Sequence, residues 1–256
     1  MALLGVDVSN WQGDFDWSQA KEKGWKFAFA KATEGTNYID PYFNRNMAQM
    51  DQHGLIRGAY MFWHPAQNWL KQCQLFDRVV SAAGLRRGDL ISLDHETDDG
   101  LPPDRVAESA VNACGYLEAK YKCSPIVYSY QNFIQRGNCT GLGKYPFWRA
   151  DPGGYNMPVL PPWTEVSIDQ YATSPEDQDR AYFTTTAQLE LLAVGSKETD
   201  INMFPGNWRH FIGCYTDSQG NLNIVGIGTD YQVYEIKRQD GKWGKPYLIG
   251  AKVNMI

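Results

Sequence analysis

Asp94 and Glu96 follow directly on the apolar run Leu90-Ile91-Ser92-Leu93. In extended backbone, residues i and i+2 share a face, so both carboxylates point into one space while His95 points away. Two carboxyl groups that close perturb each other: one titrates high and stays protonated near neutrality while its partner ionises. That division of roles suits a general acid and a charge-stabilising partner. Other polar residues, Asp7, Lys31, Glu34, Tyr128, Asp151 and Gln170, fall at or just past the ends of further apolar runs. Aromatic rings gather there too: Trp11, Tyr60, Phe62, Trp63, Tyr128, Tyr130, Trp148 and Tyr171. Some are expected to be core filler, because aromatics carry much of any core. Flat apolar rings beside carboxylates nevertheless suit a sugar, which has an apolar C–H face and polar edges. The combination points to glycoside hydrolysis.

The elements that must position these residues alternate along the chain. Strands are predicted at Leu3–Val8, Phe27–Lys31, Arg57–Phe62, Leu90–Asp94, Pro125–Tyr130, Pro146–Ala150 and Val166–Tyr171. Helices are predicted over Asp16–Lys21, Pro41–His53, Trp69–Ala83 and from Pro103, where Val106, Ala110, Val111, Cys114 and Leu117 form one stripe. Little helix separates the last strands. Alternating strands and helices imply a parallel sheet, and about eight strands over some 200 residues imply a closed β/α barrel, with chemistry at the C-terminal strand ends. Sidedness at those ends is what selects the residues above.

Composition excludes several classes. The net charge of −5 over 256 residues argues against a nucleic-acid binder. No apolar run approaches the roughly 20 residues of a membrane-crossing helix, so no membrane insertion is expected. The five cysteines form no C-x-x-C pair and the four histidines no H-E-x-x-H, so neither a metal nor another cofactor is expected. Met1-Ala2-Leu3-Leu4-Gly5 has neither a basic region nor a long apolar stretch. The expectation is synthesis in the cytoplasm of a host cell without a signal peptide, with thiols reduced.

Eight segments, taken in order, resemble the glycoside hydrolase family 25 muramidases, the Chalaropsis-type lysozymes common among phage endolysins. They are Gly5–Gly13, Phe29–Gly35, Gly58–Phe62, Leu93–Glu96, Tyr128–Tyr130, Trp148–Ala150, Gln170–Tyr171 and Thr199–Asn202. The resemblance covers residues 1–206 and implies an irregular, TIM-like α/β barrel with reduced helices on its last strands. It implies cleavage of the β-1,4 bond between N-acetylmuramic acid and N-acetylglucosamine in peptidoglycan glycan strands, after release to the cell wall. By position, Glu96 is the implied acid and Asp94 its partner, stabilising charge or orienting the substrate's acetamido group. Asp7 and Asp200 complete the implied acidic floor. Trp11, Lys31, Glu34, Tyr60, Phe62, Tyr128, Trp148 and Gln170 are the implied substrate contacts. A substrate-assisted route is favoured over a covalent one, because two carboxylates on one strand need not straddle the sugar. The chain departs from the family at Met61, where His is usual, and at Asp169, where Trp is usual; both are expected to alter a subsite rather than the chemistry. At His95 an apolar residue is usual, and packing or solvent is its expected role.

Residues 207–256 read differently. From Arg209 on, six basic residues stand against four acidic ones, a net +2, which leaves −7 on the first 208 residues. Alternating runs at 211–215, 222–227, 232–237 and 247–249, separated by turn residues, predict a small antiparallel sheet of four strands. Such a sheet is short of core by itself, so it is expected to bind a wall polymer, to cap the barrel or to mediate oligomerisation. Two alternatives to a muramidase differ in their needs. A chitinase-like glycosidase needs a further Asp where Ser92 stands. A non-catalytic glycan-binding protein on the same fold has no use for Asp7, Asp94, Glu96 and Asp200, and unused buried carboxylates are costly.

Overall fold

The computed structural model describes residues 2–155, 157–197, 208–216, 219, 222–228, 233–239, 242–243 and 247–250. Chain contacts separate two units, Met1–Lys197 and Glu198–Ile256. The break expected at 206 lies among residues outside those described.

In the first unit the strands are β1 (Leu3–Val8), β2 (Trp25–Glu34), β3 (Tyr38–Ile39), β4 (Ile56–Phe62), β5 (Leu90–Asp94), β6 (Ile126–Tyr130), β7 (Phe147–Ala150), β8 (Ile168–Ala172) and β9 (Asp177–Ala181). The helices are α1 (Ala20–Lys23), α2 (Phe43–Gln52), α3 (Trp69–Ala82), α4 (Pro103–Tyr121), α5 (Gln131–Gln135) and α6 (Thr186–Glu190). Strands β1, β2, β4, β5, β6, β7, β8 and β9 form a ring closed by β9 against β1. Neighbours from β1 to β8 run parallel, while β9 is antiparallel to both β8 and β1. A parallel return needs a crossover of a dozen residues or more, and only residues 173–176 join β8 to β9, so the chain turns back as a hairpin. The last helices, α5 and α6, have five residues each, which is the thinning expected there. Past the end of β1, β3 takes its place beside β2, pairing Thr33 with Ile39 and Glu34 with Tyr38.

Alternation sorts the strand residues between two cores. Outward positions such as Val6, Ala28, Ala59, Met61, Ile91 and Val127 pack against the helix stripes, which include Met47, Phe76, Val80, Val106 and Leu117. Inward, Phe27, Phe29, Leu90, Ile126, Trp148, Ile168 and Ala181 plug the barrel. Two glycines make this plug possible. A Cβ at Gly5 would lie 2.5 Å from the Phe27 ring, and one at Gly58 would lie 2.3 Å from the Phe29 ring. Farther along the inward faces of the same strands come Asp7, Lys31, Tyr60, Asp94, Tyr128 and Gln170, so the plug is the platform on which a polar layer stands.

The second unit is an antiparallel sheet of β10 (Trp208–Thr216), β11 (Leu222–Gly228), β12 (Val233–Gln239), β13 (Lys242–Trp243) and β14 (Tyr247–Gly250). Its order is β10-β11-β12, with β13 and β14 both against β12. The short β13 is the strand the sequence pattern does not show, because two residues cannot alternate.

Candidate active site

Strand β5 delivers Asp94 at its last position, and the backbone continues extended through Glu96. Backbone bonds from Trp63 N to Asp94 O (2.9 Å) and from His95 N to Tyr128 O (3.0 Å) hold this segment between extensions of β4 and β6. Alternation turns His95 outward, where it is fully buried, shares a 3.0 Å hydrogen bond with the Asn138 carbonyl and meets the Phe133 ring edge-on at 5.0 Å. Burial pushes its imidazole down to about 4, so it is neutral and serves packing, not solvent.

Asp94 and Glu96 open on a cavity of about 370 Å³. Of the residues selected from sequence, Asp7, Trp11, Lys31, Tyr60, Phe62, Tyr128, Trp148 and Gln170 also line it. Glu34 does not; it lies behind Lys31 and accepts its ammonium at 2.6 Å. Asp200 lies outside the described residues. Sequence reasoning missed Ser9, Gln12, Thr173 and Asp177, which line the cavity, and Asp179. Asp179 is fully buried and faces inward from β9 opposite Gly5 and Gln170. Asp151, at the end of β7, has no part in the cavity: it is fully buried and accepts the backbone N–H groups of Tyr155 and Met157.

The two departures expected to alter a subsite do not reach the cavity either. Met61 is an outward position of β4, buried in the outer core. Asp169 faces outward from β8, where Arg149 on the neighbouring strand grips it through Nε (2.6 Å) and Nη2 (2.9 Å).

Hydrogen bonds order the polar layer. Tyr128 donates its hydroxyl to Gln170 Oε1 (2.9 Å), and Gln170 Nε2 donates to Asp7 Oδ2 (2.8 Å). Trp148 Nε1 donates to Asp179 Oδ1 (2.9 Å), and Gln12 Nε2 to Asp177 Oδ2 (2.9 Å). The donors to these carboxylates are neutral, and Lys31 is the only cation among the residues lining the cavity. Burial, reinforced by the charge of Asp177, therefore holds Asp7 well above the ordinary carboxylate range. Burial and then Glu96 do the same to Asp94. Burial raises Glu96, with Lys31 opposing. Asp179 is raised by burial and by Asp7, and Asp177 by burial. Asp94 Oδ1 is buried with no hydrogen-bond partner among the described residues, and the Asp179 carboxyl hydrogen-bonds that of Asp7. Groups kept protonatable at neutral pH beside groups that ionise are the requirement for acid catalysis.

This arrangement has a stability cost with a definite sign. Between the ordinary carboxylate range and neutrality the folded protein binds more protons than the unfolded chain, so stability falls as pH rises through that window. Asp179→Asn retains an acceptor for Trp148, offers Asp7 an amide donor and removes one titrating group. Its expected Tm at about pH 7 is a few degrees above wild type, roughly the effect of 1 kcal/mol in a domain of this size. Near pH 4 the gain should vanish, because wild-type Asp179 is then protonated. Thermal unfolding at both pH values checks this, and equal Tm values at pH 7 would contradict it.

Comparisons with known proteins agree with this geometry. The model for glycosyl hydrolases family 25 matches residues 6–179. Lysozyme M1 of Streptomyces globisporus is 32% identical over 214 residues, which cover 76% of this chain and 71% of that protein. The uncharacterized protein YegX of Escherichia coli K12 is 33% identical over 154 residues, 58% of this chain, and the match spans only 56% of YegX. The crystal structure of the lysozyme from Streptomyces coelicolor superposes with a TM-score of 0.67 at 28% identity, covering 75% of this chain and 97% of that one. The matched region starts one residue before Asp7 and ends on Asp179, so it contains the whole acidic cluster described above; the chain belongs to glycosyl hydrolase family 25.

Proposed function

We propose that this protein is a muramidase that hydrolyses the β-1,4 bond between N-acetylmuramic acid and N-acetylglucosamine in peptidoglycan. The observation that carries the reading is the Asp94–Glu96 pair at the cavity mouth, surrounded by Trp11, Tyr60, Phe62, Tyr128 and Trp148. Glu96, raised by burial, is the acid that protonates the leaving glycosidic oxygen. Asp94 lines the cavity beside Glu96, where its carboxyl offers an acceptor to the N–H of a substrate acetamido group. Holding that N–H turns the acetamido oxygen toward the anomeric carbon, which supports a substrate-assisted route. Asp7, which accepts from Gln170 Nε2, places a carboxyl oxygen in the cavity, where positive charge developing on the sugar ring would favour its ionisation.

The finer reading is a lytic enzyme of the phage or prophage endolysin type, made in the cytoplasm and acting on the wall after release. The pairing of an acidic barrel with a separate antiparallel module supports a role for that module in holding a wall polymer. Digestion of purified peptidoglycan, with mass spectrometry of the new reducing ends, tests the activity. Fragments ending in reducing N-acetylmuramic acid are expected. Reducing N-acetylglucosamine ends, or no cleavage, would refute it.

A further inference from the structure

Substrate binding does not account for the network behind Lys31. The Lys31 ammonium donates to Glu34 Oε2 at 2.6 Å and lies 4.8 Å from the Phe62 ring centroid and 5.7 Å from that of Tyr38. The other oxygen of Glu34, Oε1, is 3.3 Å from His64 Nε2, and His64 Nδ1 is 3.0 Å from Asp99 Oδ1. A neutral imidazole carries one N–H, so it would satisfy one of these carboxylates and turn a lone pair on the other; only a ring with hydrogen on both nitrogens donates to both. Asp99 and Glu34 thus flank the two nitrogens of the His64 ring, Glu34 also takes the Lys31 ammonium, and Lys31 stands in the cavity with Asp94 and Glu96.

Both ends of the chain are anchored. Fully buried Gln72 on α3 accepts from His64 N (3.1 Å) and donates to His64 O (2.8 Å), which fixes the backbone that carries the ring. Asp99 accepts from Ala66 N at 3.2 Å and from Thr97 Oγ1 at 3.3 Å. Its backbone is left-handed, with φ of 48°, a conformation held only where the surroundings impose it. Thr97 follows Glu96 directly, so the network ties the loop beyond the acid to the cation that shares its cavity.

We propose that His64 is a positioning residue for this active site, holding Glu34 in the orientation that keeps the Lys31 ammonium beside Asp94 and Glu96. This rests on the glycosidase reading above. Lys31 is the charge that opposes burial at both carboxyls. The groups facing His64 are Glu34 from β2, Asp99 from the loop after β5 and the Phe62 ring at the end of β4. Those facing Lys31 are Glu34, Tyr38, Phe62, Asp94 and Glu96. If Glu34 loses its anchor, Lys31 follows it, the two catalytic carboxyls rise, and both limbs of a bell-shaped activity profile move to higher pH.

The test is reducing-end release from peptidoglycan between about pH 3 and about pH 9 for wild type, His64→Gln, His64→Lys and Glu34→Gln. His64→Gln is expected to move the bell upward by about half a pH unit, which lowers kcat on its acidic limb about threefold, and Glu34→Gln, which also removes a negative charge that raises Asp94, is expected to move it less. KM and Tm should stay near wild type. His64→Lys, which presents a hydrogen-bond donor to Glu34, is expected to keep the wild-type profile. A superimposable His64→Gln profile, or a His64→Lys profile displaced as far as that of His64→Gln, would overturn the proposal. Should His64→Gln not fold, His64→Asn takes its place, and a displaced or an unmoved bell decides. An inactive wild type refutes the glycosidase reading, and the positioning role falls with it. An active wild type with unmoved variants refutes the positioning role alone.

Discussion

Glu96→Gln is expected to lower peptidoglycan turnover by about 10²–10⁴-fold while leaving the barrel folded. The amide matches the carboxyl in volume but has no proton to give to a leaving oxygen, so the loss falls on kcat. Stability should not suffer. Glu96 sits in the folded protein with its carboxyl raised by burial, so its ionised form is a burden at neutral pH that the amide lacks. Glycan binding should persist, because Trp11, Tyr60, Phe62 and Trp148 are untouched. The checks are initial rates of reducing-end release, Tm, and retention of the variant on insoluble peptidoglycan. A variant that keeps more than about a tenth of wild-type kcat would place the acid elsewhere.

The residues that matter most here were legible in the sequence because they lie on strands with a strong apolar signal. Leu90–Leu93 announces β5, and the period of two then places Asp94 and Glu96 together and His95 apart. Asp7, Lys31, Tyr60, Tyr128 and Gln170 follow from the same rule on other strands, and all line one cavity. The rule fails where the strand has no apolar pattern. Glu176-Asp177-Gln178-Asp179-Arg180 reads as a charged loop, yet it closes the barrel as β9, because backbone pairing to β1 and β8 on both sides supplies what side chains do not. Two carboxylates of the cavity region are hidden for that reason, while Asp200, the acidic position implied by resemblance, lies outside the described residues. Glu34 lies just past the predicted strand end, and the bulge between Lys31 and Thr33 shifts the register so that Glu34 pairs with Phe62 and its carboxylate meets Lys31 and His64. The contact with His64 depends on a neighbour brought in from beyond the end of another strand, and no single-strand pattern contains it.

The outward face of the same barrel yields the second large effect. Asp169→Asn is expected to destabilise the first unit by about 3–5 kcal/mol, because it strands a buried guanidinium. Arg149 and Asp169 are cross-strand partners of β7 and β8, 6% and 0% exposed, and joined by two parallel N–H···O bonds. Burial alone would raise the Asp169 carboxyl, but Arg149, Tyr182 and Arg180 outweigh it and hold the group below its ordinary range. In the variant, Arg149 keeps the Met157 carbonyl and Asp151, 3.6 Å away, as its remaining partners. For a unit of this size that cost amounts to a fall in Tm of roughly 10 °C at neutral pH. The pH dependence has the opposite sign to that of the cavity carboxylates. A depressed carboxyl stabilises above its unfolded-state value and loses that contribution as pH falls through its folded-state value, so the gap between wild type and variant should narrow on acidification. Function is coupled to this through the strands: Trp148 precedes Arg149 and Gln170 follows Asp169, each pointing to the cavity side. Thermal unfolding of both proteins at neutral and acid pH reads the difference. A Tm unchanged at neutral pH would mean that the pair contributes no net stability, and a gap independent of pH would mean that the loss arises from packing rather than charge.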